Sequence, residues 1–148
     1  MDKEKREQIK IIEDALWCPA YVDKVVKSGE ETLFHTTSYV TINDKEYRNH
    51  ICIGLYSDME SVKFVYLYEI ENSADVRDKL MEIVNSFNSS QGFSNCYIDY
   101  KGNIIVEYDL IVLGDKEDKA NIICRVYPYF ANAIRALLPD LLKVTGKI

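Results

Sequence analysis

The chain has 148 residues, 18 Lys and Arg against 24 Asp and Glu, a formal net charge of −6, and 47% hydrophobic and 28% charged residues. That length suffices to bury one core, so a single domain over 1–148 is expected, and the composition excludes both a disordered polymer and a membrane-embedded chain. Its basic residues are scattered among more numerous acids, which excludes the gathered positive face a duplex requires; neither nucleic acid nor membrane is expected as a partner.

Residues Asp2 to Trp17 read as an amphipathic helix, because Ile9, Ile12 and Leu16 recur at helical spacing and Pro19 marks a stop. Charges occupy the place where a secretory signal would carry its apolar stretch, and no run approaches the ~18 apolar residues of a membrane span, so a cytoplasmic location is expected. Cys18, Cys52, Cys96 and Cys124 are widely spaced without a Cys-x-x-Cys, which reads as reduced, mostly buried thiols.

From Thr32 the period changes to two. Phe34, Thr36, Ser38, Val40 and Ile42 alternate with His35, Thr37 and Tyr39; Asn43 and Asp44 supply a turn; a second strand runs from Glu46 to Tyr56. "SDMES" breaks it, and Val62 to Ile70 is a third strand with Val62, Phe64, Tyr66, Tyr68 and Ile70 on one side. In "ENSADVRDKLMEIVNSFNSSQG" a helical stripe of Val76, Leu80, Ile83, Val84 and Phe87 returns, with Asn72 or Ser73 to cap it and Gly92 to end it. A hairpin turning at Lys101 and Gly102 then sets Phe93, Tyr97, Ile104, Val106, Tyr108 and Leu110 on a core face. The chain closes with a helical pattern from Lys116 to Val144, capped by Asp115 with Asp118 three residues on. Pro128 predicts a kink, or two helices meeting near Tyr127. The expected order is α-β-β-β-α-β-β-α, an α+β fold whose five-stranded, antiparallel-type sheet is packed by helices.

Three groups of residues invite a chemical reading. Asp99, Glu107 and Asp109 on the hairpin supply carboxylates, but Glu107 and Asp109 point away from the Val106, Tyr108 and Leu110 side, as solvated acids on a strand do. His50 and Cys52, two apart on one strand, share a face and are the nearest approach to a nucleophile and its base; only His35 remains as a further imidazole, too few ligands for a zinc site. No phosphate-binding glycine loop, nucleophile elbow or zinc-protease motif is present, so no catalytic residue, cofactor or metal is assigned. The third group is apolar: Val65, Leu67, Ile98 and Ile105 lie opposite the core face. Rimmed by Lys63, Glu69, Glu107 and Asp109, they form either a dimer or partner surface or a floor covered by the segment Cys18 to Glu31.

The stretch "EIVNSFNSSQGFSNCYIDYKGNIIVEYDLIV", followed by a helix carrying Tyr127 and Pro128, resembles the YbjN-like family, described as bacterial sensory transduction regulators. The likeness rests on "VNSFN" at Val84 to Asn88, "YIDYKGNIIVEYDL" at Tyr97 to Leu110 and the final helix, covers about the last half of the chain by motif, and is weakest from Met1 to Glu31. It implies a type III secretion chaperone-like fold and action by binding other proteins, often as a dimer, and it brings no catalytic residue. The resulting expectation is a non-enzymatic cytosolic regulator or chaperone-like adaptor forming a homodimer. A dedicated secretion chaperone is the near alternative, and a small ligand-binding domain or hydrolase using His50 and Cys52 is the alternative of another class.

Overall fold

The computed structural model describes residues 2–148. Asp2 opens helix α1 (Lys3–Leu16) by accepting the Lys5 amide at 2.8 Å, and Gln8, Ile12 and Leu16, four residues apart, turn inward. Four strands follow as an antiparallel meander: β1 (Tyr21–Ser28), β2 (Glu31–Ile42), β3 (Lys45–Tyr56) and β4 (Ser61–Tyr68). A short 3-10 turn (Ser73–Val76) leads into α2 (Arg77–Ser90), β5 (Asn95–Ile98), β6 (Ile104–Ile111) and the long α3 (Lys116–Val144). Strand β6 pairs with β4 and β5 lies outside it, giving an open six-stranded sheet in the order β1-β2-β3-β4-β6-β5, antiparallel throughout.

The sheet has six strands, not five. The extra one is β1, from the segment Cys18 to Glu31, one of the two alternatives for which was to cover the second sheet face. Its register slips between Val22 and Lys24, a bulge that leaves Asp23 without a partner on β2. The bulge breaks the alternation of Val22, Val25 and Val26, so no period of two shows in the sequence.

Two further differences come from local geometry. The β5–β6 connection spans residues 99–103, so Ile98 pairs with Ile104 and Cys96 with Val106. A two-residue turn at Lys101 and Gly102 would have paired Tyr97 with Val106 and inverted the strand. Cys96 is therefore buried, Ile98 is packed against the core, and Tyr97 is exposed on the opposite face. The second concerns α3, which is one helix through Pro128 and Pro139, not two helices meeting near Tyr127. Buried anchors flank Pro128: the Tyr127 hydroxyl lies 2.9 Å from Thr36 Oγ1, and Phe130 packs on Phe64 with ring centroids 5.6 Å apart. The capping box of Asp115 and Asp118 is present as expected. For α2, neither Asn72 nor Ser73 caps the helix; the 3-10 turn precedes it and Gln91 ends it one residue before Gly92.

All three helices pack on one face of the sheet. That face carries the buried Thr36 and, in a single buried cluster with Ile12 and Leu16 of α1, Leu80 and Phe87 of α2, and Ile123, Tyr127 and Phe130 of α3, the residues Phe34, Ile51, Ile53, Phe64, Tyr66, Ile104 and Val106. Among the described residues no helix is long and apolar enough to cross a membrane.

Candidate functional site

Because neighbouring side chains on a strand alternate, the register fixes what the helix-free face presents. Its central row runs Lys24, His35, Cys52, Val65, Glu107, Asn95 across the six strands. Beside it, Ile105 stands opposite both Leu67 and Tyr97. Of the four residues expected on this surface, Val65, Leu67 and Ile105 are there. Ile98 is not, since it faces the helices. Leu67 is 45% exposed and Tyr97 38%, while Val65 and Ile105 are half-buried by their lateral neighbours. The segment Cys18 to Glu31 extends the sheet at its edge instead of folding across this face.

Of the expected rim, Lys63, Glu107 and Asp109 come together, while Glu69 lies past the end of β4. Lys63 Nζ lies 4.0 Å from Glu107 Oε2 and 3.8 Å from Asp109 Oδ1. Burial opposes the charged lysine, yet the two carboxylates outweigh it and hold the ammonium above its usual pKa. The Tyr97 hydroxyl donates to Glu107 Oε2 at 3.3 Å. The third hairpin acid does different work: Asp99 Oδ1 accepts the Lys101 and Asn103 amides, each at 2.9 Å, and so shapes the β5–β6 turn.

The chain has two histidines, and the fold brings them together. Asn43 and Asp44, both at positive φ, form the two-residue β2–β3 turn; this register sets His35 opposite Cys52 and Thr37 opposite His50. The imidazoles meet diagonally, His35 Nδ1 lying 3.0 Å from His50 Nε2 with the rings 21° from parallel. Burial first, then the charges of His50 and Lys24, hold His35 below its usual pKa against the opposing pull of Asp23. Asp23 is itself engaged, its Oδ2 accepting the Thr37 hydroxyl at 2.6 Å. The pairing that the alternative hydrolase reading needs, His50 acting on Cys52, is not formed; His50 meets His35 instead. Among the described residues no hydrogen bond joins Cys52 to an imidazole, and burial followed by the Glu31 carboxylate raises its thiol pKa, which favours the unreactive form. The register was legible in principle, since taking Asn43 and Asp44 as a two-residue turn sets His35 across from Cys52; the contact of the two rings was not.

The concave sites lie elsewhere. A groove of ≈ 630 Å³ borders His50 but is walled by Tyr47, Asn49, Tyr66, Tyr68, Leu138 and Leu142, and neither Cys52 nor His35 lines it. A cleft of ≈ 640 Å³ between α1 and the start of α3 has Ile11 and Met59 in its wall, and Lys116, at its edge, is paired with Glu4 at 2.6 Å and Glu7 at 2.8 Å. Among the described residues no group of three or more His, Cys, Asp or Glu side chains is arranged to hold a metal ion.

No protein-family model, no curated protein and no solved structure matches this chain.

Proposed function

We propose that this chain is a non-enzymatic, cytosolic protein-binding module, a regulator or chaperone-like adaptor of the YbjN-like kind with a secretion-chaperone-like fold, and that it pairs as a homodimer through the helix-free face of its sheet. One observation carries the reading: that face presents Val65, Leu67, Ile105 and Tyr97 together, with no element of the chain over them, beside the charged group of Lys63, Glu107 and Asp109. An apolar centre beside a charged margin is the anatomy of a protein interface, and a patch paired with its own copy satisfies both the apolar area and the alternating charges.

The hydrolase reading finds less support. A Cys nucleophile needs a base within hydrogen-bond reach and a lowered pKa; Cys52 has a raised pKa and no bonded imidazole, and the groove beside His50 excludes it.

Light scattering tests the proposal on the wild type and on Val65→Asp and Ile105→Asp, with circular dichroism confirming that each is folded. The expected result is a wild-type dimer whose mass halves in either variant. A wild-type monomer, or a dimer that both charges leave intact, would remove this face from the interface.

A further inference from the structure

We propose that His35 and His50 form an open, two-imidazole surface site for a divalent transition-metal ion of the zinc class on the helix-free face of the sheet, with water filling the other positions; it falls short of the three or four protein ligands of a structural or catalytic zinc centre. Both ligands come from one chain, so the site needs no second copy; it shares its sheet face with the proposed dimer contact but lies on β2 and β3, to one side of Val65 on β4.

The geometry is close to what such an ion needs. Two Zn–N bonds of ~2.0–2.1 Å meeting at a tetrahedral angle hold their nitrogens about 3.3 Å apart; His35 Nδ1 and His50 Nε2 stand at 3.0 Å. The antiparallel pairing of β2 and β3 brings the two side chains within reach, so the ion has only the ring torsions and the tautomer left to set. In the neutral pair one imidazole donates its N–H to the other. To accept the ion, the donor moves that proton to its outer nitrogen and both rings turn until their lone pairs converge. No net proton is released, and the two nitrogens supply the electron pairs of both new bonds. Both histidines line an uncovered surface, His50 exposed and His35 half-buried, which leaves a path for a hydrated ion and room for water in its remaining positions. Imidazole suits zinc, copper and nickel, whereas calcium and magnesium prefer oxygen donors, and this selects the ion class.

Two neighbours bear on affinity. Lys24, opposite His35, repels a cation, and Asp23, displaced by the bulge beside it, attracts one while its Oδ2 holds the Thr37 hydroxyl. Cys52 lies across from His35, but its thiol is not required by the two-nitrogen arrangement.

The test is calorimetric titration of the chelator-treated full chain with zinc at about pH 7.5, where an ordinary imidazole is mostly neutral, for wild type, His35→Gln, His50→Gln and Cys52→Ser. Expected are saturation at about one ion per chain, a loss of affinity of at least about tenfold in either histidine variant, and retention in Cys52→Ser. Imidazole nitrogen resonances of the wild type should shift together on titration, a readout that needs no variant. Absence of saturable zinc binding by the wild type, unshifted imidazoles, wild-type affinity in either folded histidine variant, or loss of binding in Cys52→Ser would each overturn the assignment.

Discussion

Thr36 and Tyr127 show how single side chains lock a helix to the sheet. Thr36 Oγ1 donates to the Ile51 carbonyl at 2.7 Å and sits 2.9 Å from the Tyr127 hydroxyl, with both residues buried. Tyr127→Phe removes one of these bonds and leaves Thr36 its carbonyl partner, so chemical denaturation should show a loss of about 1 kcal/mol. The cysteines differ by burial: they are not mostly buried as expected, since only Cys96 is buried, Cys52 and Cys124 are partly covered and Cys18 is exposed. Burial pushes the Cys96 thiol up from its ordinary 9.0 to about 12 and, helped by the Cys18 side chain nearby, the Cys124 thiol to about 11. A raised folded-state pKa means that the unfolded chain releases the proton first, so the stability these groups contribute is complete below pH 9.0 and declines as pH rises toward 11 and 12. Burial raises the Tyr66 and Tyr127 hydroxyls too, which acts in the same direction. The melting temperature should therefore fall from about pH 9 upward, and a flat profile to pH 11 would contradict this burial. In the native protein, a thiol reagent should titrate the exposed Cys18 rapidly and the other three slowly, with all four reacting in denaturant.

Turns decide the register of each strand pair, and glycine decides some of the turns. Gly29 and Gly102 both hold positive φ, 60° and 84°, yet their surroundings differ. A Cβ at Gly29 would meet open space, whereas one at Gly102 would collide with Ser73, at the start of the 3-10 turn before α2. Gly29→Ala should cost about 1 kcal/mol through backbone strain alone, and Gly102→Ala distinctly more, as read from paired denaturation curves. Equal costs would mean that the β5–β6 loop moves freely away from Ser73. Helix α3 adds a different constraint: two prolines each forfeit a bond to the carbonyl four residues earlier, so its continuity depends on buried residues on either side rather than on backbone bonding alone.

For the molecule as a whole, one rule of placement matters most: every helix is on the same side. Substitutions along β4 should report this sidedness directly. Phe64, fully buried among the helices, should lose about 3–5 kcal/mol on change to alanine, whereas Leu67→Ala, on the other face and 45% exposed, should stay within about 0.5 kcal/mol in the isolated chain. The same asymmetry makes the free face the natural place both for a partner and for the histidine pair.

Much of this architecture follows from local pattern. The helical stripes of α1, α2 and α3, the alternation of β2, β3 and β4, and the Asp115 capping box are properties of neighbouring residues, so the α+β class and the chain order of the α-helices and of every strand but β1 could be read from them. What local pattern could not carry was anything that depends on an offset of one residue or on a distant partner. The bulge at Asp23 hid β1, a turn of five residues rather than two put Cys96 and Ile98 inside and Tyr97 outside, and burial of Tyr127 and Phe130 let α3 pass through Pro128. The candidate surface was largely recognisable because alternation alone places Val65, Leu67 and Ile105. The meeting of His35 and His50 was decided by the tertiary structure, for side chains fifteen residues apart touch only when the pairing of two strands brings them into reach.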